Sequence, residues 1–425
     1  MIPLDVFPVL PDNVSQSLPQ TNGFLRSYVE YACACSDAPP VFHAGVALTV
    51  FSSIVAKDVI CPWHAGRSLL PNLYTLIVGP SRTARKTTAM DAGTDVLYDT
   101  DASIMMPIPG SYEELVAQLR RQAHGLLTFR EFGHFLKQTS RGYAEPQRTA
   151  LMDLYDWPHN RPYSRNLKKA VTVISGPICL SILGSISNEL LFQYVDSAEW
   201  LGGFFGRMLL LYGERDEFKM PLEWRRAHTY LVAYLRQYAQ YKIPSCGGFQ
   251  TDGWAWFSEW CKIRDTSRHL LPTRVKNFAA GVTTFAAKIA LLFAIDSGEV
   301  LTGEGWLVSG ESLYRATQFI DNLYLVSALE LGERIQLSDW ERYRQKALDQ
   351  IDAAGDLGIA HKELLRRTRV LSDQLREIVE TLRDEDTIEI VQGTDGGSVY
   401  RRKRWEKIEP TGLPHPSEFK RARDG

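Results

Sequence analysis

The segment GPSRTARKTT, residues 79–88, places glycine, lysine and hydroxyl side chains in the order of a loop that binds phosphate. An apolar run, residues 73–78, precedes it, and a sequence compatible with a helix follows. Such a loop suits a triphosphate because backbone amides and a helix N-terminus surround the oxygens, while a lysine reaches the outer phosphates. An ordinary loop between a strand and a helix is the alternative. The predicted nucleotide-binding residues are Gly79, Ser81, Arg82, Thr83, Ala84, Arg85, Lys86, Thr87 and Thr88.

The loop departs from the usual pattern of Gly, four residues, Gly, Lys and Ser or Thr. Ala84 stands at the second glycine position, and Arg85 is an additional residue before Lys86. We expect Lys86 to contact the β- and γ-phosphates of ATP and the Thr87 hydroxyl to ligate Mg²⁺.

The segment LLTFRE, residues 126–131, predicts a short strand that ends in a carboxylate. Enzymes that transfer phosphoryl groups to water use one acid for the metal and one residue that orients the attacking water. Glu131 can orient the water, but Arg130 stands where the metal-associated acid is expected. Either ATP is not hydrolysed or another acid takes this role. Alternatively, both side chains are solvated at a strand end.

A third apolar strand, residues 178–183, leads into the polar segment GSISN, residues 184–188. Residues just past the carboxyl end of a parallel strand face the ligand crevice of an open α/β sheet. Asn188 or Ser187 is therefore a candidate for contacting the terminal phosphate or orienting water. Alternatively, Ser187 caps the helix predicted over residues 188–195.

An arginine lies within the apolar, glycine-flanked segment GGFFGRMLLL, residues 202–211. Burying Arg207 is costly unless it meets an anion. One interpretation is an arginine finger that reaches a phosphate across a subunit boundary. The other is an ion pair with Glu214 or Asp216.

The series GPSRTARKTT, LLTFREFG, CLSILGSIS and GGFFGRMLL resembles the P-loop ATPase family of phage and mobile-element primase–helicase proteins. That family is similar to RecA-like hexameric helicase cores, and the resemblance covers about residues 25–300. It implies a RecA-like core, nucleotide between neighbouring subunits and a role in replication of the element. By position, Lys86 and Thr87 match the phosphate loop, Glu131 the acidic strand end and Arg207 the arginine motif.

The bulk properties predict a cytoplasmic protein of several domains. A chain of 425 residues with 44% apolar content can form more than one core. The start of the chain lacks the pattern of a signal peptide. The most apolar stretch, residues 278–295, contains Lys288 and is expected to be a buried helix, not a membrane span. The six cysteines have no paired CxxC spacing, so we expect reduced, packed thiols; a metal site with Cys33, Cys35, Cys61 and His64 is the alternative.

We expect an α/β protein in which flanking helical segments and a C-terminal winged helix accompany the RecA-like core. A net charge of −2 means that any contact with nucleic acid must be local. Long amphipathic helices are predicted after the core, and their closely spaced aromatics are expected to be core residues. The predicted segments are an N-terminal helical segment 1–65, the core 66–215, a helical domain 216–340, the winged helix 341–407 and a disordered tail 408–425.

Two regions are candidates for binding DNA. A basic hairpin between residues 156 and 173, with Arg165, Lys168 and Lys169, would grip single-stranded DNA in the pore of a ring; solvated charges on a surface hairpin are the alternative. The winged helix is predicted from helices over 346–354, 359–368 and 372–383 and strands over 387–391 and 398–401. Its third helix would place Arg376 near DNA, and the wing would neutralise phosphates. The predicted wing residues are Arg401, Arg402, Lys403 and Arg404. Alternatively, this domain contacts protein.

Together these features predict an ATP-dependent, helicase-like DNA motor that forms a homo-oligomeric ring, with ATP and Mg²⁺ as cofactors. The predicted catalytic residues are Lys86, Glu131, Asn188 and Arg207. Single-stranded DNA is the expected partner, with double-stranded DNA and a replication primase or initiator as further partners. The alternative is a nucleotide-dependent DNA-binding initiator or regulator that does not unwind DNA, and Arg130 favours it.

Overall fold

The computed structural model describes most of the chain. The described residues are 10–63, 67–139, 145–167, 170–174, 176–195, 199–200, 202–215, 218, 225–240, 242–268, 271–302, 305–334, 339–385, 387–392, 397–403 and 412–418. They fall into two compact units. The first draws on residues 1–194, 199–332 and 410–425, and the second on residues 195–198 and 333–409.

A five-stranded parallel sheet is the centre of the first unit. In order across the sheet, the strands are Met105–Met106, His124–Phe129, Cys179–Ser187, Tyr74–Gly79 and Leu209–Tyr212. The two strands Tyr74–Gly79 and Cys179–Ser187 are buried along their whole length. Parallel sheets are covered on both faces, which explains why these segments read as continuous apolar runs.

Helices cover both faces of this sheet. Neighbouring residues of a strand point to opposite sides, so Tyr74 and Thr75 mark the two faces. On one face, the hydroxyl of Thr49 in the buried helix Pro40–Val55 donates to Thr75 Oγ1 across 2.6 Å. On the other face, the hydroxyl of Tyr74 donates to the carbonyl oxygen of Leu151 across 3.1 Å. The sheet is therefore the middle layer of three.

The remaining helices of the first unit include those that carry the phosphate-loop and acidic segments. The helices are Asp12–Gln16, Phe24–Cys35, Pro40–Val55, Lys86–Asp101, Tyr112–Arg121, Phe132–Thr139, Glu145–Tyr155, Asn188–Tyr194, Arg225–Gln240, Thr251–Ser267, Thr273–Ala280, Val282–Asp296, Gly310–Phe319 and Leu325–Arg334. A π-helical turn, Ile320–Tyr324, joins the last two. Ser111 caps Tyr112–Arg121 by accepting from the Glu114 amide across 3.2 Å. Three short two-stranded sheets pair Cys61–Pro62 with Ser68–Leu69, Cys246–Phe249 with Trp306–Val308, and Tyr163–Leu167 with Ala170–Ile174.

The helices after the sheet belong to the same unit as the sheet, up to residue 332. The separate helical domain expected over 216–340 is therefore not a separate compact unit. The apolar stretch 278–295 is divided between two helices that bend by 46°. Its second helix, Val282–Asp296, is buried, and so are Trp256, Phe257 and Trp260, as their patterns predicted. Trp254, expected in the same core, is 38% exposed.

The tail expected to be disordered is ordered in part. Residues 412–418 pack on the first unit, and the indole nitrogen of Trp256 donates to the Pro414 carbonyl oxygen across 2.8 Å. His415 Nε2 lies 2.6 Å from a carboxylate oxygen of Glu311. The segment thus supplies hydrogen-bond partners to two helices.

Among its described residues, the second unit has three helices and a three-stranded antiparallel sheet. The helices are Asp339–Ala353, His361–Thr368 and Ser372–Asp384, and the strands, in sheet order, are Ile359–Ala360, Ser398–Arg402 and Ile388–Gln392. Its apolar core includes Leu364, Leu375, Ile378, Val379 and Leu382, as the sequence pattern predicted. Leu371, which was expected in the same core, is 71% exposed, so that part of the prediction is wrong. The strand Ile359–Ala360 was expected to be the start of the second helix; it pairs instead with Tyr400 and Val399.

Within the described residues, no single helix has both the length and the apolar character needed to cross a bilayer. The bent pair Arg274–Ala280 and Val282–Asp296 meets those criteria only when its two helices are taken together.

Candidate functional site

The segment 79–88 forms a loop at the carboxyl edge of the parallel sheet. It leaves the strand Tyr74–Gly79 and enters the helix Lys86–Asp101, as the sequence predicted. The Lys86 ammonium donates to the carbonyl oxygens of Gly79 and Pro80, each across 2.8 Å. The loop thus closes around a half-buried cation. A phosphate group bound in this loop would be close to the Lys86 ammonium.

Two arginines give the loop its shape. Arg82 and Arg85 have φ values of 63° and 53°, in the left-handed region that favours glycine. Arg85, not Ala84, therefore adopts the glycine-like conformation directly before Lys86, which corrects the expected alignment. Ala84 is buried within the loop, whereas Thr87 and Thr88 expose their side chains to solvent. Strained backbone of this kind persists where the surroundings fix it.

The start of the loop admits no side chain at residue 79. A Cβ atom on Gly79 would lie 2.5 Å from the Gly213 carbonyl oxygen and 2.8 Å from the Ala84 Cβ. Gly79 is therefore required by close packing against the neighbouring strand's end.

The helix after the loop begins without a side-chain cap. Its first intrahelical bond runs from the Ala89 amide to the Arg85 carbonyl oxygen, across 3.0 Å. The amides of the first turn of a helix have no intrahelical partner and carry a partial positive charge. The loop thus leads into a helix start that offers backbone donors and carries the Lys86 ammonium.

The adjacent strand brings the second polar segment to the same edge. Gly79 pairs with Ser187, so Asn188 follows beside the loop. The Ser187 hydroxyl accepts from the Leu190 amide across 3.3 Å, which is the capping role weighed as an alternative. The Asn188 Oδ1 atom is buried without a hydrogen-bond partner. A buried amide oxygen of this kind requires a donor, such as a water molecule.

Two carboxylates face Lys86. Burial lowers the pKa of Lys86, and the charges of Glu189 and Glu131 oppose this shift, Glu189 more than Glu131. Glu131 lies where the sequence predicted, just past the strand His124–Phe129, and its side chain is exposed. Glu189 was not predicted as a site residue from the sequence, although it lies in the first turn of the helix Asn188–Tyr194, beside the loop. The one available signal was that Glu189 lies two residues beyond Ser187, at the polar end of the strand Cys179–Ser187.

Arg130 does not carry out the role of a metal-associated acid. Its guanidinium donates to Asp91 across 2.5 Å, from a side chain that is 65% exposed. Asp91 lies on the helix Lys86–Asp101, so the pair bridges the acidic strand end and the phosphate-loop helix. The residue at position 130 is therefore the basic partner of an ion pair whose acidic partner lies on the helix.

Arg207 lies at the opposite edge of the sheet. It precedes the strand Leu209–Tyr212, whose Leu209 pairs with Thr75 near the start of the loop strand. At about 3.3 Å per residue, Thr75 and Gly79 are roughly 13 Å apart. Arg207 donates to Asp156 across 2.7 Å and to the Gly203 carbonyl oxygen across 2.8 Å. Its ion-pair partner is therefore Asp156 rather than Glu214, and Asp216 lies outside the described residues. Within one chain Arg207 does not approach Lys86.

The basic hairpin is present as the antiparallel strands Tyr163–Leu167 and Ala170–Ile174. Arg165 is part of the first strand. Lys168 and Lys169 lie outside the described residues, so their place in the predicted DNA contact stays a prediction.

In the second unit the predicted DNA contacts differ in their surroundings. Arg376 is exposed and lies 3.8 Å from Asp373. Arg402 is within 3.6 Å of both Glu333 and Asp352, which makes it part of an ion-pair cluster. The Nε atom of Arg401 is buried without a partner, and Lys403 is exposed. Arg404 lies outside the described residues.

The cysteines are free thiols, as expected from their spacing. Among the described residues, no three His, Cys, Asp or Glu side chains come together as metal ligands. His64, part of the alternative metal site, lies outside those residues. Burial raises the pKa of Cys179 to about 12, so this thiol is a packing group.

Comparison with known proteins gives no relative: no family model matches the chain, and no curated protein matches it.

Proposed function

We propose that the chain is an ATP-dependent, helicase-like DNA motor that acts in replication of a phage or mobile element. One observation carries this proposal: Lys86, at the start of a helix, is held by the carbonyl oxygens of Gly79 and Pro80 at the carboxyl edge of a parallel sheet. A lysine in this position, with an uncapped helix N-terminus beside it, suits the β- and γ-phosphates of a nucleotide.

The donor set around the loop fits ATP and Mg²⁺. When bound, MgATP supplies the phosphoryl group that is transferred to water. Lys86 and the first-turn amides would bind phosphate oxygens, and the exposed Thr87 hydroxyl would ligate the metal. Glu131 would orient the attacking water, and the buried Oδ1 atom of Asn188 would accept a hydrogen bond from it.

The strand order supports the RecA-like core that the resemblance implies. One strand, Cys179–Ser187, lies between the loop strand and the strand that ends near Glu131. This middle strand carries Asn188 to the loop.

The second unit supports a winged helix. Its order is helix, short strand, two helices and an antiparallel hairpin, with an apolar core beneath. In this interpretation the helix Ser372–Asp384 presents Arg376 to DNA. Phosphate contacts would come from Arg376 and Lys403, whose side chains are exposed.

A ring of identical subunits completes the proposed site. Arg207 is distant from Lys86 within one chain, so only a neighbouring copy could bring it to the phosphates. Closed rings form when head-to-tail contacts repeat around an axis. Arg207 would exchange Asp156 for the developing charge on the phosphoryl oxygens.

The test is phosphate release by the full chain, with and without a single-stranded oligonucleotide, for the parent and Lys86→Ala. We expect DNA to raise the parent rate and Lys86→Ala to reduce it at least 100-fold. Lys262→Ala, at a lysine that is 72% exposed on another helix, is the matched control and should stay within twofold. A parent rate that matches the Lys86→Ala rate would refute the motor.

A second candidate is a nucleotide-dependent DNA-binding initiator or regulator that does not unwind DNA. The pairing of Arg130 with Asp91 favours it, because the residue beside Glu131 at the strand end is a base instead of the expected acid. In that case the parent binds ATP and DNA together but releases no phosphate, and Lys86→Ala loses the ATP dependence of DNA binding.

A further inference from the structure

Asp37 joins two arginines at the mouth of the phosphate loop. Its Oδ1 atom accepts from Arg85 Nε across 3.2 Å, and its Oδ2 atom accepts from Arg215 Nη1 across 2.8 Å. The Asp37 side chain is only 8% exposed, while those of Arg85 and Arg215 are 42% and 27% exposed. One buried carboxylate therefore serves two partly exposed guanidinium groups.

The three residues come from separate parts of the chain that meet at one edge. Asp37 follows the helix Phe24–Cys35, Arg85 belongs to the loop, and Arg215 follows the strand Leu209–Tyr212. The Gly213 amide donates to the Val78 carbonyl oxygen across 3.1 Å, which fixes the end of that strand beside the loop. Because Arg85 and Arg215 bind the two oxygens of the same carboxylate, the Arg215 guanidinium lies close to the loop residue Arg85.

The cluster of two guanidinium groups and one carboxylate carries a net charge of +1, which favours an anion. Near Lys86, the carboxylates of Glu189 and Glu131 add negative charge. Each guanidinium has five N–H donors, and Asp37 accepts one from each arginine. Arginine can bind phosphate oxygens with two parallel hydrogen bonds. The single bond that each arginine makes to Asp37 does not use this capacity.

We propose that Arg215 contacts the γ-phosphate of ATP and that Asp37 competes with this phosphate for its guanidinium. This inference rests on the proposed nucleotide site. Binding of a triphosphate shifts Arg215 from Asp37 toward the phosphate, and the segment that carries Asp37 is then held by Arg85 alone. Arg215 thereby distinguishes ATP from ADP within one chain, independently of Arg207.

The experiment measures the Kd of the full chain for AMP-PNP and for ADP by calorimetry. Arg215→Ala should raise the AMP-PNP Kd at least tenfold and change the ADP Kd less than threefold. Arg268→Ala is the matched control, since Arg268 forms an exposed pair with Asp265 on another helix; it should leave both constants unchanged. Arg215→Lys keeps the charge and should still raise the AMP-PNP Kd at least threefold, which covers an Arg215→Ala chain that does not fold.

Asp37→Asn tests the competition. Removing the competing charge should tighten AMP-PNP binding more than ADP binding. The inference is overturned if the Arg215 variants bind both nucleotides as the parent does, or weaken both equally, or if Asp37→Asn weakens AMP-PNP binding as Arg215→Ala does. A parent chain that binds neither nucleotide refutes the proposed function instead.

Discussion

The guanidinium of Arg130 and the carboxylate of Asp91 form an ion pair that links the acidic strand end to the helix of the phosphate loop. An acid was expected at the strand end from the sequence. Instead the strand end carries the base Arg130, and the helix carries the acid Asp91. The distance between the two groups is 2.5 Å, yet Arg130 remains largely exposed. Exposed pairs of this type contribute little to stability.

We expect Arg130→Ala to lower the free energy of unfolding by less than about 1 kcal/mol, because water screens the lost pair. Urea unfolding followed by circular dichroism measures this change. Arg130→Asp should cost more, since it places two carboxylates together, and the double variant Arg130→Asp with Asp91→Arg should recover most of the loss. A double variant no more stable than Arg130→Asp would show that the pair is not an interacting unit.

Glu131 and Glu189 are expected to differ in catalysis although both lie near Lys86. If Glu131 orients water, Glu131→Gln should reduce phosphate release at least 100-fold and leave the Kd for ATP within threefold. Glu189→Gln should reduce the rate less, because Glu189 acts through the charge of Lys86. The reverse order of effects, measured by single-turnover kinetics, would assign the water-orienting role to Glu189.

Lys288 should make stability depend on pH. Its ammonium is buried over the Tyr155 ring, 3.7 Å from the centroid, and donates to Asn72 Oδ1 across 2.8 Å. Burial lowers its pKa from 10.5 to about 7. The unfolded chain therefore binds more protons than the folded chain between pH 7 and 10.5, so the free energy of unfolding rises with pH in this window.

Between pH 7 and 9 this rise amounts to about 2 kcal/mol from Lys288 alone. Lys288→Met should remove it, while Lys262→Met, at an exposed lysine, should retain it. The measurement is urea unfolding at both pH values, compared as the difference between parent and variant. An unchanged slope in Lys288→Met would contradict the assignment.

Gly23 should tolerate no side chain. A Cβ atom there would lie 2.2 Å from a carboxylate oxygen of Asp296, which accepts from the Phe24 and Leu25 amides across 2.7 and 3.1 Å. Gly23→Ala must displace this buried carboxylate and leave two amides of the helix Phe24–Cys35 without their acceptor. We expect a loss of about 2 kcal/mol or more in thermal or urea unfolding.

Gly206→Ala is the matched control for Gly23→Ala, since nothing lies within 4 Å of its added Cβ. Its free energy of unfolding should stay within about 0.5 kcal/mol of the parent. Equal effects of the two alanines would mean that the contact with Asp296 does not determine the loss.

The elements that position the loop could be predicted from the sequence because their patterns are local. The apolar run before Gly79 and the helical pattern after Lys86 locate the strand and the helix without knowledge of their neighbours. The second unit's helices are also set by local spacing of leucines and isoleucines. The helices follow from the period of their apolar residues, and the strand follows from a short apolar run that ends at a glycine turn.

The contacts between these elements could not be predicted, since they depend on residues far apart in the chain. Asp91 and Arg130 are 39 residues apart, and Asp37 and Arg215 are 178 apart. Nothing in the spacing of either pair distinguishes it from other acids and arginines. The left-handed backbone of Arg85 could not be predicted either, because the comparison with the usual loop pattern placed Ala84 at the glycine position.

The separation of Lys86 and Arg207 on opposite edges of one sheet has a kinetic consequence. If turnover needs both, an isolated subunit is inert, and the rate per mole of chain must rise steeply as the solution becomes more concentrated. Dilution alone would then abolish turnover. ATP hydrolysis would be confined to places where copies accumulate, such as a shared strand of DNA.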